Sequence, residues 1–240
     1  MSDKPILFSG DMIRALLDGR KTQTRRGLAI QGKPGFFQFG VSDTKGYDWT
    51  FRRKDHVWED YEHDHLLSLF PYQVGDRIWV REPHFAWGYW TTTNEFTKIG
   101  QRKRKFVRDW DVDVLFDDGP LILSHQIEEK VLGWYPRVGR FMHRRDSRIT
   151  LPVTDVKVEQ LQDISEADAI AEGIKPRLEN CYGPDGCPTG SSGCNKKGCW
   201  GIREDFRDLW NSINGPDAWG RNDWVAAYTF TVGKGNIDNG

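Results

Sequence analysis

Within Gly19-Arg20-Lys21-Thr22-Gln23-Thr24-Arg25-Arg26 the chain gathers four cationic side chains and two hydroxyls in eight residues. A primary amine beside a hydroxyl suits nucleophilic or general-base chemistry once desolvation lowers the amine's pKa. Lys21 with the neighbouring hydroxyls of Thr22 and Thr24 offers such a pair, and Arg25 and Arg26 add positive charge beside it. The same residues, Arg20 and Thr22 included, also suit a solvated basic loop that meets phosphate or a base edge.

A second group that can do chemistry is C-x5-C-x6-C-x4-C, formed by Cys181, Cys187, Cys194 and Cys199 in a stretch of Gly, Pro, Ser and Asn. Four thiolates around one structural zinc would fold such a loop outright. The alternative is two incidental pairs in a flexible insertion. Nothing in the chain implies an organic cofactor. His63-Asp64-His65 has ligand-type side chains, but adjacent loop positions rarely share one metal, and no site is expected there.

Two basic runs stand apart from these groups. Arg102-Lys103-Arg104-Lys105 reads as a solvated face. Arg137, Arg140, His143, Arg144, Arg145 and Arg148 form a cluster better suited to phosphate. Arg77 and Arg81 flank Ile78 and Val80 on a strand and are read as ligand-facing, the alternative being a salt-bridged strand end at Arg81-Glu82, with Trp79 either core or a stacking surface.

The elements that must position these residues follow from periodicity. Residues 4–8 read as a strand. Met12, Ile13, Leu16 and Leu17 repeat at helical spacing behind Ser9, and Gly19 supplies the left-handed stop. Lys21, Thr22 and Thr24 therefore fall just past a helix C-terminus, on a chain entering an extended segment at the rim of the fold. A helix is expected near Asp64–Phe70, a strand over 76–82, and a long alternating strand from Arg148 to Gln160 with a bulge or edge at Pro152. Ser165 with Asp168 opens a helix that stops at Gly173. Phe206, Leu209, Trp210 and Ile213 mark an amphipathic helix ended by Gly215-Pro216, and Trp224–Val232 reads as the last strand. Short strands with interspersed helices and no βαβ rhythm give an α+β fold with a small, mostly antiparallel barrel.

Composition bounds the function. The 240 residues carry 34 Lys plus Arg against 35 Asp plus Glu, a balance that disfavours a protein gripping long duplex nucleic acid. A local basic pocket for a nucleotide or short single strand remains compatible with it, and 11 Trp supply both core anchors and stacking surfaces. No apolar run reaches membrane-spanning length and no signal peptide opens the chain, so a soluble, cytoplasmic protein with no membrane partner is expected.

Four stretches resemble, in order, the ASCH domain family of the PUA-like superfamily. They are Ile6–Phe8 through Gly19–Arg26; Val74–Glu82; Arg148–Val156 with Leu161–Ser165 and Ala169–Ile174; and Asn222–Val225. As a whole the chain is most similar to the longer ASCH proteins encoded by phages and prophages. The resemblance implies a PUA-like small, mostly antiparallel β-barrel with flanking helices. A single domain would span 1–232, with insertions at about 27–70 and 84–140 and a Cys-rich loop at 178–200. Residues 233–240 would be a disordered tail. It further implies a cleft that receives RNA or a modified nucleoside. Small bacterial members act as amidohydrolases on N4-acetylcytidine through a lysine, a threonine and a glutamate, matched here by Lys21, Thr24 and Glu172. Other members bind or cleave RNA. This chain departs from the small members by its insertions, which leave open a non-catalytic protein that binds nucleic acid or a host protein.

Overall fold

The computed structural model describes residues 3–28, 36–116, 130–175 and 201–239. The cysteine group lies outside them. In chain order the elements are β1 (Asp3–Leu7), α1 (Gly10–Leu17), β2 (Gln23–Gly27), β3 (Phe36–Val41), β4 (Trp49–Arg53), β5 (Trp58–Tyr61), α2 (His63–Ser68), β6 (Arg77–Arg81), β7 (His84–Phe96), β8 (Arg102–Arg108), β9 (Gly133–Arg137), β10 (Ile149–Gln160), α3 (Glu166–Ala171), α4 (Ile202–Asn214), β11 (Trp224–Phe230) and β12 (Gly233–Lys234). The fold is α+β with mostly antiparallel sheets and few helices. No described helix is long and apolar enough to cross a membrane.

The described residues divide into two compact units. Unit 1 holds 15–77 and 151–232; unit 2 holds 3–14, 78–150 and 233–239. In unit 1, β11 pairs antiparallel with β10 on one side and β2 on the other. The register of β10 shifts between Val153 and Asp155, immediately after Pro152, which has no N–H to give to a ladder. Residues 36–61, unpatterned in the sequence, form the antiparallel meander β3-β4-β5. Its Phe39 and Trp49 rings pack on Trp224 of β11 at 5.4 and 5.5 Å.

The helices of unit 1 close over a core of Leu161, Ile164, Ala169, Phe206, Trp210, Ala218 and Val225. Ser165 caps α3 by accepting the Asp168 N–H at 3.0 Å. Helix α4 starts a turn before Phe206, so Ile202 joins the apolar stripe and Ile213, expected within it, is 48% exposed.

In unit 2, β1 lies beside β6, and β7 is the central strand of the β8-β7-β9 sheet, which falls within the expected insertion at about 84–140. A Cβ on Gly88 would sit 2.2 Å from the Val107 carbonyl oxygen across the β7–β8 ladder, so only glycine permits that register. Residues 233–239, expected as a disordered tail, are tied down instead. Gly233 and Lys234 pair with Thr150 and Ile149. The Asn236 amide donates to the carbonyls of Arg144, Arg145 and Ser147 at 2.9 Å, and Ile237 is buried.

Gly88→Ala should lower the unfolding free energy by roughly 1–3 kcal/mol through overpacking. Urea denaturation of the variant checks this, and a midpoint equal to that of the natural protein would contradict the β7–β8 register.

Candidate functional site

Helix α1 ends as its sequence requires. Gly19 adopts φ +72°, its N–H returns to Leu16 O, and the N–H groups of Arg20 and Lys21 both reach Ala15 O. The chain then runs against the end of α3. Thr22 N–H donates to Ala171 O at 2.8 Å, and Lys21 pairs with Glu172 in an isolated antiparallel bridge. Gly173 follows at φ +99°, where a Cβ would come within 2.9 Å of the Ala15 Cβ and 3.3 Å of the Lys21 Cβ. A left-handed glycine at this point lets the two segments touch.

That contact buries Lys21 completely, with 0% exposure, and Glu172 to 4%. The Lys21 Nζ donates to Glu172 Oε2 at 2.6 Å and to the carbonyl oxygens of Gln23 and Glu172, each at 2.9 Å. All three ammonium hydrogens are thereby committed. Burial pushes the Lys21 pKa below its ordinary value; the charge and hydrogen bond of Glu172 oppose this, and burial prevails. The sequence places the amine at the rim of the fold, whereas the tertiary contact with α3 takes it inside.

Strand β2 sorts the remaining residues onto two faces, because successive side chains alternate. Gln23 and Arg25 share one face. Arg25 donates to Gln23 Oε1 at 2.6 Å, to Glu172 Oε1 at 3.3 Å and to Glu159 Oε1 at 2.7 Å, and lies 3.4 Å from Asp168 Oδ2. Lys157 bridges Glu159 and Asp168 at 3.1 Å each. Three cations and three carboxylates thus form one network. Burial alone would raise the Asp168 pKa, but the hydrogen bonds from Lys157 and Ser165 and the charges of Lys157 and Arg25 hold it below the usual carboxyl range.

Thr24 and Arg26 occupy the other face. Thr24 is buried and stands opposite Tyr228, whose ring meets Tyr72 edge-on at 5.2 Å. Burial raises the Tyr228 phenol pKa well above its normal value and lowers that of Arg26. The structure therefore brings Lys21, Glu172 and Arg25 into direct contact and sets the Thr24 side chain on the strand face opposite Arg25. Lys21 bonds on the Arg25 side through Glu172, so Lys21 and Thr24 do not share a face.

The other expected ligand residues have local partners. In unit 1, Arg20 donates to Gly173 O at 2.7 Å and pairs with Asp18; Thr22 is held through its backbone; Arg77 begins β6. In unit 2, Arg81 stacks over Trp79 at 4.6 Å, Arg144 pairs with Asp3 and Asp238, and Arg145 donates to Trp110 O. Arg148 grips Glu82 through both carboxylate oxygens and covers Phe116 at 3.9 Å. The run Arg102–Lys105 is exposed, as a solvated face should be. No group of three or more His, Cys, Asp or Glu among the described residues could hold a metal ion.

Sequence reasoning missed Lys157 and Glu159. Their signal is the alternation of Lys157 and Glu159 with Val156 and Val158 near the end of β10. Comparison with protein-family models, curated proteins and solved structures finds no match.

Lys21→Met or Glu172→Leu should each cost about 3–5 kcal/mol by leaving a buried charge unpaired, and the double variant should cost less than the sum of the two. Denaturant titration of the four proteins checks this; additive losses would contradict direct pairing. Because the Asp168 pKa is depressed, its contribution to stability is complete above the ordinary value of 3.8 and lost as pH falls through the lowered value. Unfolding midpoints should drop below about pH 4, with a shallower acid slope in Asp168→Asn.

Proposed function

We propose that unit 1 is an ASCH-type, PUA-like module that receives RNA or a modified nucleoside and hydrolyses the amide of an N4-acylated cytosine. The observation that carries this reading is the 2.6 Å contact between Lys21 Nζ and Glu172 Oε2 in a site without solvent exposure. Burial lowers the Lys21 pKa and so favours the neutral amine that a general base requires, while the Glu172 carboxylate holds the nitrogen in place.

The neutral amine has what amide hydrolysis needs. The Lys21 amine takes a proton from the attacking water, and the Thr24 hydroxyl, on the other strand face with Tyr228, meets a base edge. The ammonium so formed, held by Glu172, gives that proton to the departing exocyclic nitrogen. Proton count is conserved, and the neutral amine is restored at the end of the cycle. Arg25, 3.3 Å from Glu172 Oε1, stabilises that carboxylate, and Arg26 offers positive charge from the other strand face to a developing oxyanion. Tyr228 and Tyr72 supply an aromatic surface beside Thr24.

One observation favours a second reading. All three hydrogens of Lys21 Nζ are already bonded, as a purely structural ion pair would have them. In that reading the pair only fixes α3 to β2, and the protein binds nucleic acid or a host protein without turnover.

Incubation with N4-acetylcytidine, followed by chromatography of released cytidine, separates the two. Turnover is expected in the natural protein, with a loss of about 10²–10⁴-fold in Lys21→Met. Thr24→Val leaves the ion pair in place, and should lose turnover with little change in unfolding midpoint. Absence of cytidine release by the natural protein, or full activity in Lys21→Met, would remove the catalytic reading.

A further inference from the structure

Unit 2 contains a cavity of about 640 Å³. Its lining includes six cationic side chains (Arg81, Lys105, Arg108, Arg137, Arg140 and Arg144) and no Asp or Glu. Arg144 is neutralised by Asp3 and Asp238, and Arg108 by Asp146. Among the described residues, Arg81, Lys105, Arg137 and Arg140 have no carboxylate partner. Acidic and basic residues balance over the whole chain, 35 against 34, so four unneutralised cations converging on one concavity is a specific arrangement rather than a property of the surface at large.

The arginines among them are held in place by aromatic rings. The Arg137 guanidinium lies 4.6 Å from the Phe106 ring, 5.0 Å from Phe141 and 5.1 Å from Trp90, and its pKa is lowered by burial. Arg81 stacks on Trp79 and Arg108 on Trp110. The Nε atoms of Arg81 and Arg108 are buried without a hydrogen-bond partner among the described residues, although the Arg108 side chain is only 7% exposed. A buried guanidinium N–H without an acceptor is costly unless a ligand supplies one. Two of the lining rings remain open to solvent: Phe141 at 49% exposure and Trp110 at 45%.

We propose that this cavity binds a nucleoside phosphate, with the phosphate on Arg81, Arg137 and Arg140 and the base stacked on Trp110 or Phe141. The cations require an anion, since guanidinium donors match phosphate oxygens. The exposed rings require a flat partner. The volume exceeds what inorganic phosphate fills and lies within the range of small-molecule sites. A free nucleotide and one nucleotide of a single strand present the same chemistry. The proposal rests on unit 2 alone and does not depend on the reading of unit 1.

Calorimetric titration of the full chain tests it, with adenosine 5′-monophosphate, adenosine, inorganic pyrophosphate and a nine-nucleotide single-stranded oligoadenylate as probes. The monophosphate should bind at least tenfold more tightly than adenosine or pyrophosphate. Arg137→Met, which keeps the aromatic packing, and the exposed Arg140→Ala should each weaken it tenfold or more. Oligoadenylate binding more tightly than the monophosphate, with the same dependence on Arg137 and Arg140, identifies a strand as the source of the ligand. Failure of both nucleotide probes to bind, pyrophosphate binding as tightly as the monophosphate, or natural affinity in both variants would overturn the proposal.

Discussion

Unit 1 is organised around the burial of a single ammonium group. An unpaired cation inside a protein costs several kcal/mol, so Lys21 can be interior only if every one of its hydrogens finds an acceptor. The carbonyl oxygens of Gln23 and Glu172 and the Glu172 carboxylate meet that demand, and they come from the two segments the contact joins. Other features follow from the same constraint. Gly173 must be glycine so that the chain turns close to the Lys21 stem, and α3 must end at Glu172 so that the carboxylate arrives at Nζ.

The network then extends outward in alternating charge. Arg25 shares Glu172 with Lys21 and takes up Glu159 and Asp168, while Lys157 completes the balance. Removing one member strands its neighbours, because low dielectric makes the loss of a partner more costly than the pair was worth. Such a cluster rigidifies the β2–β10–α3 corner. It also holds a lysine whose pKa burial lowers.

Unit 2 handles cations differently. Its arginines are covered by ring faces more than by carboxylates, which shields them from water without cancelling their charge. A cation held this way keeps its field and its N–H donors available, whereas one locked in a bidentate carboxylate pair, as Arg148 is to Glu82, does not. The cluster from Arg137 to Arg148 looks uniform in the sequence. Its members divide into carboxylate-paired Arg144 and Arg148 and ring-held Arg137, Arg140 and Arg145.

The amino-acid sequence alone carries whatever depends on neighbours along the chain. The Ser165 cap, the Gly19 and Gly173 stops, the alternation of β10 and the amphipathic α4 are set by local dihedral preferences and by periods of 2 and 3.6 residues. It also singled out Lys21, Thr24 and Glu172 by residue type and motif. Only the tertiary structure decided that Lys21 is buried, that Thr24 lies on the strand face opposite Arg25, and that Lys157 and Glu159 belong to the network. The same holds for the last residues: nothing local predicts that Asn236 will collect three carbonyls. The reason is common to all of these. Burial, ion pairing and the face a side chain finds depend on segments distant in sequence, such as the 151 residues that separate Lys21 from Glu172, and no local period encodes such a meeting.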